Sequence, residues 1–178
     1  MQGPPVTGEP VVSKVLLIGQ APGPREIELH RPFAWTAGKT LFGWFREIGM
    51  DEDGFCHKVY MAAVCRCFPG RLPKGGDRVP SAQEIARCAA WLDIELGMLR
   101  PSLLIPVGRL AIGQLMAAGR LEEVIGRQYR ITRCGVTADA IPLPHPSGAS
   151  VWPKVEPGRS LLRQALQLIR DHPAWQAL

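Results

Sequence analysis

No apolar run in this chain is long enough to cross a bilayer,. The opening residues, MQGPPVTGEPVV, lack the apolar centre of a secretory signal,. Five cysteines (Cys56, Cys65, Cys67, Cys88 and Cys134) are an odd number, which argues against a disulfide frame,. Together these absences point to a reducing cytoplasm, with free thiols or a metal centre. No internal repeat and no low-complexity tract is present. The Gly-rich turn after the first apolar run, GQAPGP, is not followed by the GK[ST] of a Walker loop. The GxGxxG of a dinucleotide fold is missing as well. That same turn contains no acid: across VLLIGQAPGPRE the first carboxylate is Glu26.

What is present bounds the rest. The chain has 178 residues, enough for one domain with a real core,. It is 46% hydrophobic and 21% charged, with 21 Lys and Arg against 16 Asp and Glu. The formal charge of +5 suits a polyanionic partner without demanding one,. Residues 1–13 read as a Pro- and Gly-rich lead-in and 14–178 as the domain. Apolar runs predict strands over Lys14–Gly19, Lys58–Cys65, Ser102–Val107 and Ala138–Leu143. Helical spacing predicts helices over Thr36–Ile48, Ser81 to about Leu99, Gly108–Ala118 and Gly158–Asp171. Ser81 with Glu84 forms a capping box. Val124–Cys134 reads as a strand pair or an excursion. Gln20–Trp35, Cys67–Pro80 and Pro144–Pro157 read as loops. The alternation implies an α/β fold, three-layered, around a mostly parallel four-stranded sheet. Sites in such sheets gather beyond the carboxyl ends of the strands.

The loops carry the chemistry. GQAPGP offers exposed amides that can approach a ligand closely, or it is an ordinary turn. In PLPHPSGAS, prolines hold His145 at a rigid loop tip, and Ser147, Gly148 and Ser150 suit a phosphate oxygen. Alternatively His145 is a lone loop histidine. In RPFAWTAGK, Phe33 and Trp35 lie beside basic residues, where they can stack bases or cover a small core. CFPGRLPKGGDRVP holds Arg71, Lys74 and Arg78 against the lone acid Asp77, and suits contacts to a nucleic-acid backbone,.

Three motifs in order, GQAPGPRE with RPFAWTAGKTL, VYMAAVCRCFPG with RVPSAQEIARC, and HPSGAS, resemble the uracil-DNA glycosylase superfamily. The likeness is nearest to its bacterial and archaeal families 4 and 5 and spans Lys14 to about Arg170. LLIPVGRLA also looks like the family's third strand. The resemblance implies a monofunctional DNA glycosylase of base excision repair, a hydrolase. Such an enzyme flips a deaminated base out of single- or double-stranded DNA and leaves an abasic site. It implies that Gly19, Gln20 and Ala21 hold the water and touch the base, that Phe33 stacks on it, and that Ala63 stands where its edge is read. His145 supports the departing anion and Ser147 grips a phosphate. Gly148, Ser150 and Trp152 belong to the loop that enters DNA, with Lys39, Arg71 and Lys74 as further DNA contacts. A monomer is expected.

Three departures matter. Gln20 replaces a carboxylate and cannot take a proton from water, so Glu26 is the first candidate for a compensating acid. The alternative for Glu26 is an ion pair with Arg25 or Arg31. Ala63 replaces an Asn that reads uracil, which implies a broader choice among uracil, hypoxanthine, xanthine and 5-substituted uracils. The relatives' [4Fe-4S] cluster needs four thiolates. Cys67 and Cys88 match the later pair, the earlier pair is missing, and the favoured expectation is no cofactor. A lesion-binding relative with little chemistry is the alternative function, and a hydrolase of free nucleosides a third.

Overall fold

The structure is a computed structural model that describes residues 1–117, 119–148 and 150–178. The elements run β1 (Val15–Gly19), α1 (Pro24–Leu29), α2 (Thr36–Glu47), α3 (Glu52–Lys58), β2 (Tyr60–Ala63), α4 (Ala82–Leu99) and β3 (Leu103–Pro106). They continue α5 (Gly108–Leu115), α6 (Leu121–Val124), β4 (Tyr129–Arg133), β5 (Val136–Ala140), α7 (Gly158–Asp171) and α8 (Pro173–Gln176). A 3-10 turn covers Trp152–Lys154. The sheet order is β2-β1-β3-β5-β4. β1 is an interior strand parallel to both β2 and β3, β3 is central, β5 is parallel to β3, and β4 is antiparallel to β5.

β1 is buried along its whole length. A strand's side chains alternate between faces, so Val15 and Leu17 enter one core cluster and Leu16 and Ile18 the other. The first cluster takes Leu41, Phe42 and Phe45 from α2, Phe55 from α3, Leu166 and Ile169 from α7, and Trp175 from α8. There Phe45 stacks on Trp175 with ring centroids 5.4 Å apart. The second cluster takes Leu92 and Leu96 from α4. Helices thus cover both faces of a parallel sheet, which is the three-layer α/β arrangement.

The structure corrects the sequence reading at five points. The sheet has five strands rather than four. Val124–Cys134 resolves into the end of α6 and the edge strand β4, whose alternating half-buried pattern gives a weak apolar signal. The last strand begins two residues earlier than expected, at Val136, because β4 and β5 form a hairpin through Cys134 and Gly135, both at positive φ. The strand expected from Lys58 starts only at Tyr60, because Lys58 closes α3, a helix capped by the Asp51 side chain accepting from Gly54 N–H at 2.8 Å. The loop Gln20–Trp35 contains α1, started by Pro24,. The helix expected to reach Ala118 ends at Leu115; Ala118 itself lies outside the described residues, as does Ala149 of the HPSGAS motif.

α4 begins as expected. Ser81 Oγ accepts from Glu84 N–H at 3.3 Å, and the Glu84 carboxylate accepts from Ser81 N–H at 2.8 Å. The Arg78 guanidinium chiefly, then the Ser81 amide, hold the Glu84 carboxyl far below the ordinary carboxylate range. Ser81→Ala should cost about 1 kcal/mol, read as a lower urea midpoint at unchanged m-value.

Candidate active site

The carboxyl ends of β1, β2 and β3 converge on one cleft of about 680 Å³. Gly19, Gln20 and Ala21 form its floor, with Ala62 and Ala63 from β2 and Val107 after β3. The turn is pinned by its own backbone: the carbonyls of Gly19 and Gln20 accept from Val64 and Cys65 N–H, each at 3.0 Å. Pro32, Phe33 and Trp35 line it from the loop ahead of α2, together with Thr36 of α2 itself. Pro69, Arg71, Asp77 and Arg78 line it from the loop ahead of α4, and His145 and Ser147 from the loop after β5.

Phe33 has φ 53, a left-handed conformation that costs free energy in any residue but glycine,. Its ring edge reaches the end of β1, with Cζ 3.0 Å from where a Cβ on Gly19 would stand. Such a conformation persists only where the surrounding structure over-determines it.

His145 is placed by the sheet. Leu143 bridges Val107, its N–H donating to Pro106 O and its carbonyl accepting from Gly108 N–H, both at 2.9 Å. Prolines flank His145 on both sides, and its ring packs 3.1 Å from where a Gly108 side chain would begin. The Ser147 N–H donates to Nδ1 at 3.2 Å. An amide can only donate, so the neutral ring carries its proton on Nε2. The imidazole is reachable through the cleft mouth but walled by protein on its other sides, and this desolvation pushes its pKa below 6.5. The ring is therefore a neutral donor, able to hydrogen-bond an oxygen that gains negative charge.

Glu26 is buried and lines the cleft, but its Oε2 accepts from Gly23 N–H at 3.0 Å, closing the start of α1. Arg25 pairs with Glu28 and Arg31 with Glu52, so neither pairs with Glu26. Arg25 also lies 5.1 Å over the Trp35 ring. Of the remaining expected contacts, Arg71 and Ser147 line the cleft and Lys39, Lys74, Gly148, Ser150 and Trp152 do not. Lys39 is exposed on α2, Lys74 sits at an exposed hairpin, and the Ser150 N–H donates to Ser147 O at 3.0 Å. Trp152 donates from Nε1 to Glu122 at 2.9 Å, and its ring packs against Gly158. Trp35, read with Phe33 as an aromatic able to stack bases, also lines the cleft, and Asp77 and Arg25 line it outside the expected set. A lone acid in a basic, Gly-rich loop was the sequence sign for Asp77.

The thiols do not fit a four-thiolate cluster. Cys65, Cys67 and Cys88 share a neighbourhood in which burial first and the adjacent Cys88 second push the Cys65 thiol upward, away from the thiolate a cluster requires,. Cys56 packs against the other face of the sheet, and Cys134 lies in the hairpin at the opposite sheet edge. Beside Cys67 the N-terminal segment is already docked, with Gln2 N–H donating to Phe68 O and Val6 N–H to Arg66 O. Among the described residues no three His, Cys, Asp or Glu side chains gather as a metal-ligating group. No helix there is long and apolar enough to cross a membrane.

Relatives bear on the same region. The chain is 27% identical over 148 residues to a type-4 uracil-DNA glycosylase of Archaeoglobus fulgidus, covering 80% of this chain and 70% of that protein. It is 26% identical over 165 residues to the type-4 enzyme of Sulfurisphaera tokodaii, covering 89% and 70%. Against a type-5 uracil-DNA glycosylase of Thermus thermophilus it is 32% identical over 124 residues, 64% of this chain and 53% of that one. The sequence profile of one family matches residues 5–170, nearly the whole fold and every wall of the cleft, and the chain therefore belongs to the uracil DNA glycosylase superfamily.

Proposed function

We infer that this protein is a monofunctional DNA glycosylase that hydrolyses the bond between deoxyribose and uracil or other deaminated bases. The observation that carries the reading is the meeting of Phe33, His145 and the Gln20 turn in one cleft. A base drawn out of the stack would lie against the Phe33 ring, a contact worth about 1–3 kcal/mol. As the bond from the base nitrogen to C1′ breaks, its electron pair leaves with the base. The Nε2–H of His145 donates to the base oxygen where that charge collects. Water held by the Gln20 amide attacks C1′ and leaves an abasic site. Ser147 and Arg71, which both line the cleft, suit the flanking phosphates,. Lys39, Lys74, Gly148, Ser150 and Trp152 would act on DNA from outside the cleft.

The reading is tested by incubating oligonucleotides that carry one uracil, hypoxanthine or xanthine, then cleaving abasic sites with alkali. Strand breaks on any of them support it. Retarded migration without breaks supports the alternative, a lesion-binding relative, which the uncharged Gln20 and Ala21 favour. Breaks on uracil alone would remove the broad specificity.

Ala63, half-buried in the cleft floor, presents only a methyl group to the bound base. Without a two-point polar contact here, the site forgoes about 1–3 kcal/mol of discrimination. Ala63→Asn should therefore raise the ratio of uracil to hypoxanthine release about tenfold or more, measured as single-turnover rates on paired substrates. Unchanged selectivity would remove Ala63 as the cause of breadth.

A further inference from the structure

We propose that Asp77, which lines the cleft beside Gly23, is the acid that the first motif lacks and that it takes the proton from the attacking water. This inference rests on the glycosylase reading of the cleft. Its starting point is the turn that ends at Gly23. A Cβ on Gly23 would stand 2.8 Å from Glu26 Oε2 and 3.1 Å from Asp77 Oδ2. Two carboxylates from unrelated segments therefore converge on the turn that carries Gln20.

They are not equivalent. Glu26 is buried and its Oε2 is committed to Gly23 N–H, so it holds the turn in shape. Asp77 is exposed to the cleft. Among the described residues its carboxylate has no hydrogen-bond or ion-pair partner, although three arginines line the same cleft. Arg78 is taken up by both oxygens of Glu84, each at 2.8 Å. Arg25 is taken up by Glu28 and the Trp35 ring. Arg71 pairs with Asp77 through the backbone alone, as an antiparallel bridge.

The backbone around Asp77 is built to hold it. Leu72 N–H donates to Gly76 O at 2.9 Å and Gly75 N–H to Leu72 O at 3.0 Å, closing a tight hairpin in which Gly75 and Gly76 take φ 87 and 83. Arg78 N–H donates to Gly70 O at 2.8 Å, and its guanidinium is clamped to α4. Asp77 thus sits on the anchored stem of the hairpin and not at its tip. An unpaired carboxylate facing a cleft meant for a polyanion weakens binding of that polyanion. In the proposed reaction that cost has an offset, since a carboxylate in the cleft also favours a developing sugar cation.

In the step assigned to it, the water oxygen forms its bond to C1′ as the bond to the base nitrogen breaks. The base departs with the electron pair. One water proton moves to an Asp77 oxygen and from there to solvent, so the carboxylate is regenerated. Gln20 orients the water and Asp77 receives the proton. The acid and the amide have separate addresses, one on the turn and one on the facing hairpin.

The test uses Asp77→Asn and Asp77→Ala in the full chain, with single-turnover release of uracil and affinity for an oligonucleotide carrying non-cleavable 2′-fluoro-deoxyuridine. Both variants should slow release about 100-fold. Affinity should stay level or tighten, because a negative charge is lost from the cleft. Formate should restore at least tenfold of the lost rate to Asp77→Ala, where the missing carboxylate leaves room, and not to Asp77→Asn. Rates within threefold of wild type overturn the assignment, provided wild-type protein is active. A slow Asp77→Ala that formate does not accelerate, or that binds DNA more weakly, marks a structural residue and overturns it too. Wild-type protein that releases no base sinks the glycosylase reading and this assignment together.

Discussion

His145→Ala should slow base release by about 10²–10³, the loss usual when one donor to a developing oxyanion is removed. The variant should keep its fold, because the ring is reachable from the cleft mouth and its loop is anchored by the Leu143 backbone. Affinity for undamaged DNA should change little, since the interaction grows only as the base leaves. His145→Gln, which can still donate an N–H, should recover part of the rate. Stability against pH offers an independent check. In the folded protein desolvation holds the imidazole pKa below 6.5, so at pH 5–6 the unfolded chain binds more protons at this position,. Stability must then fall as pH drops below 6.5 and level off below the folded value. His145→Ala lacks that component, and urea unfolding at pH 7.5 and pH 5.5 should show a smaller decline for the variant. An equal decline would mean that the ring is not desolvated.

The sequence made the central strands and the long helices legible because each is coded locally. β1 is a continuous apolar run bounded by Lys14 and Gly19, and α4 announces its start with Ser81 and Glu84. α7 was readable to the residue, since its apolar stripe repeats at helical spacing and His172 and Pro173 end it. Harder were elements with a weak local signal. The partner of β4, β5, is adjacent in the chain, but as an edge strand β4 alternates between half-buried and exposed residues and shows no continuous apolar run. α1 hides in a loop of Gly and Pro, which signal turns as readily as a helix start. The site divides in the same way. Phe33, His145 and Gln20 stand in short motifs whose residue types already suggest a cleft. The approach of Asp77 to Gly23 spans the distance from one loop to another, and no local pattern encodes it. The partner of Glu26, the Gly23 amide, was likewise not legible from its proximity to Gln20 in the chain.

Gly38→Ala sets two effects against each other, and their sizes decide the sign. By helix propensity alone, Ala in place of Gly inside α2 stabilises by about 0.8–1 kcal/mol. The site forbids it: a Cβ on Gly38 would lie 1.6 Å from the Phe33 carbonyl oxygen and 2.6 Å from its carbon. Both are backbone atoms, so no rotamer change relieves the clash, and the Phe33 segment must move by more than an ångström. Overpacking of this kind costs about 1–3 kcal/mol or more, and here it acts on a residue already held at positive φ. A net loss of about 2–3 kcal/mol is expected, which lowers Tm by about 4–12 °C in a chain of this size. Activity should fall further than stability does, because the displaced backbone carries the ring that faces Gly19. Gly43→Ala supplies the control. It lies in the same helix with nothing within 4 Å of its would-be Cβ, so propensity acts unopposed and Tm should rise. A Gly38→Ala protein that melts at or above the wild-type temperature with full activity would show that Phe33 is free to shift, and the stacking wall would lose its rigidity.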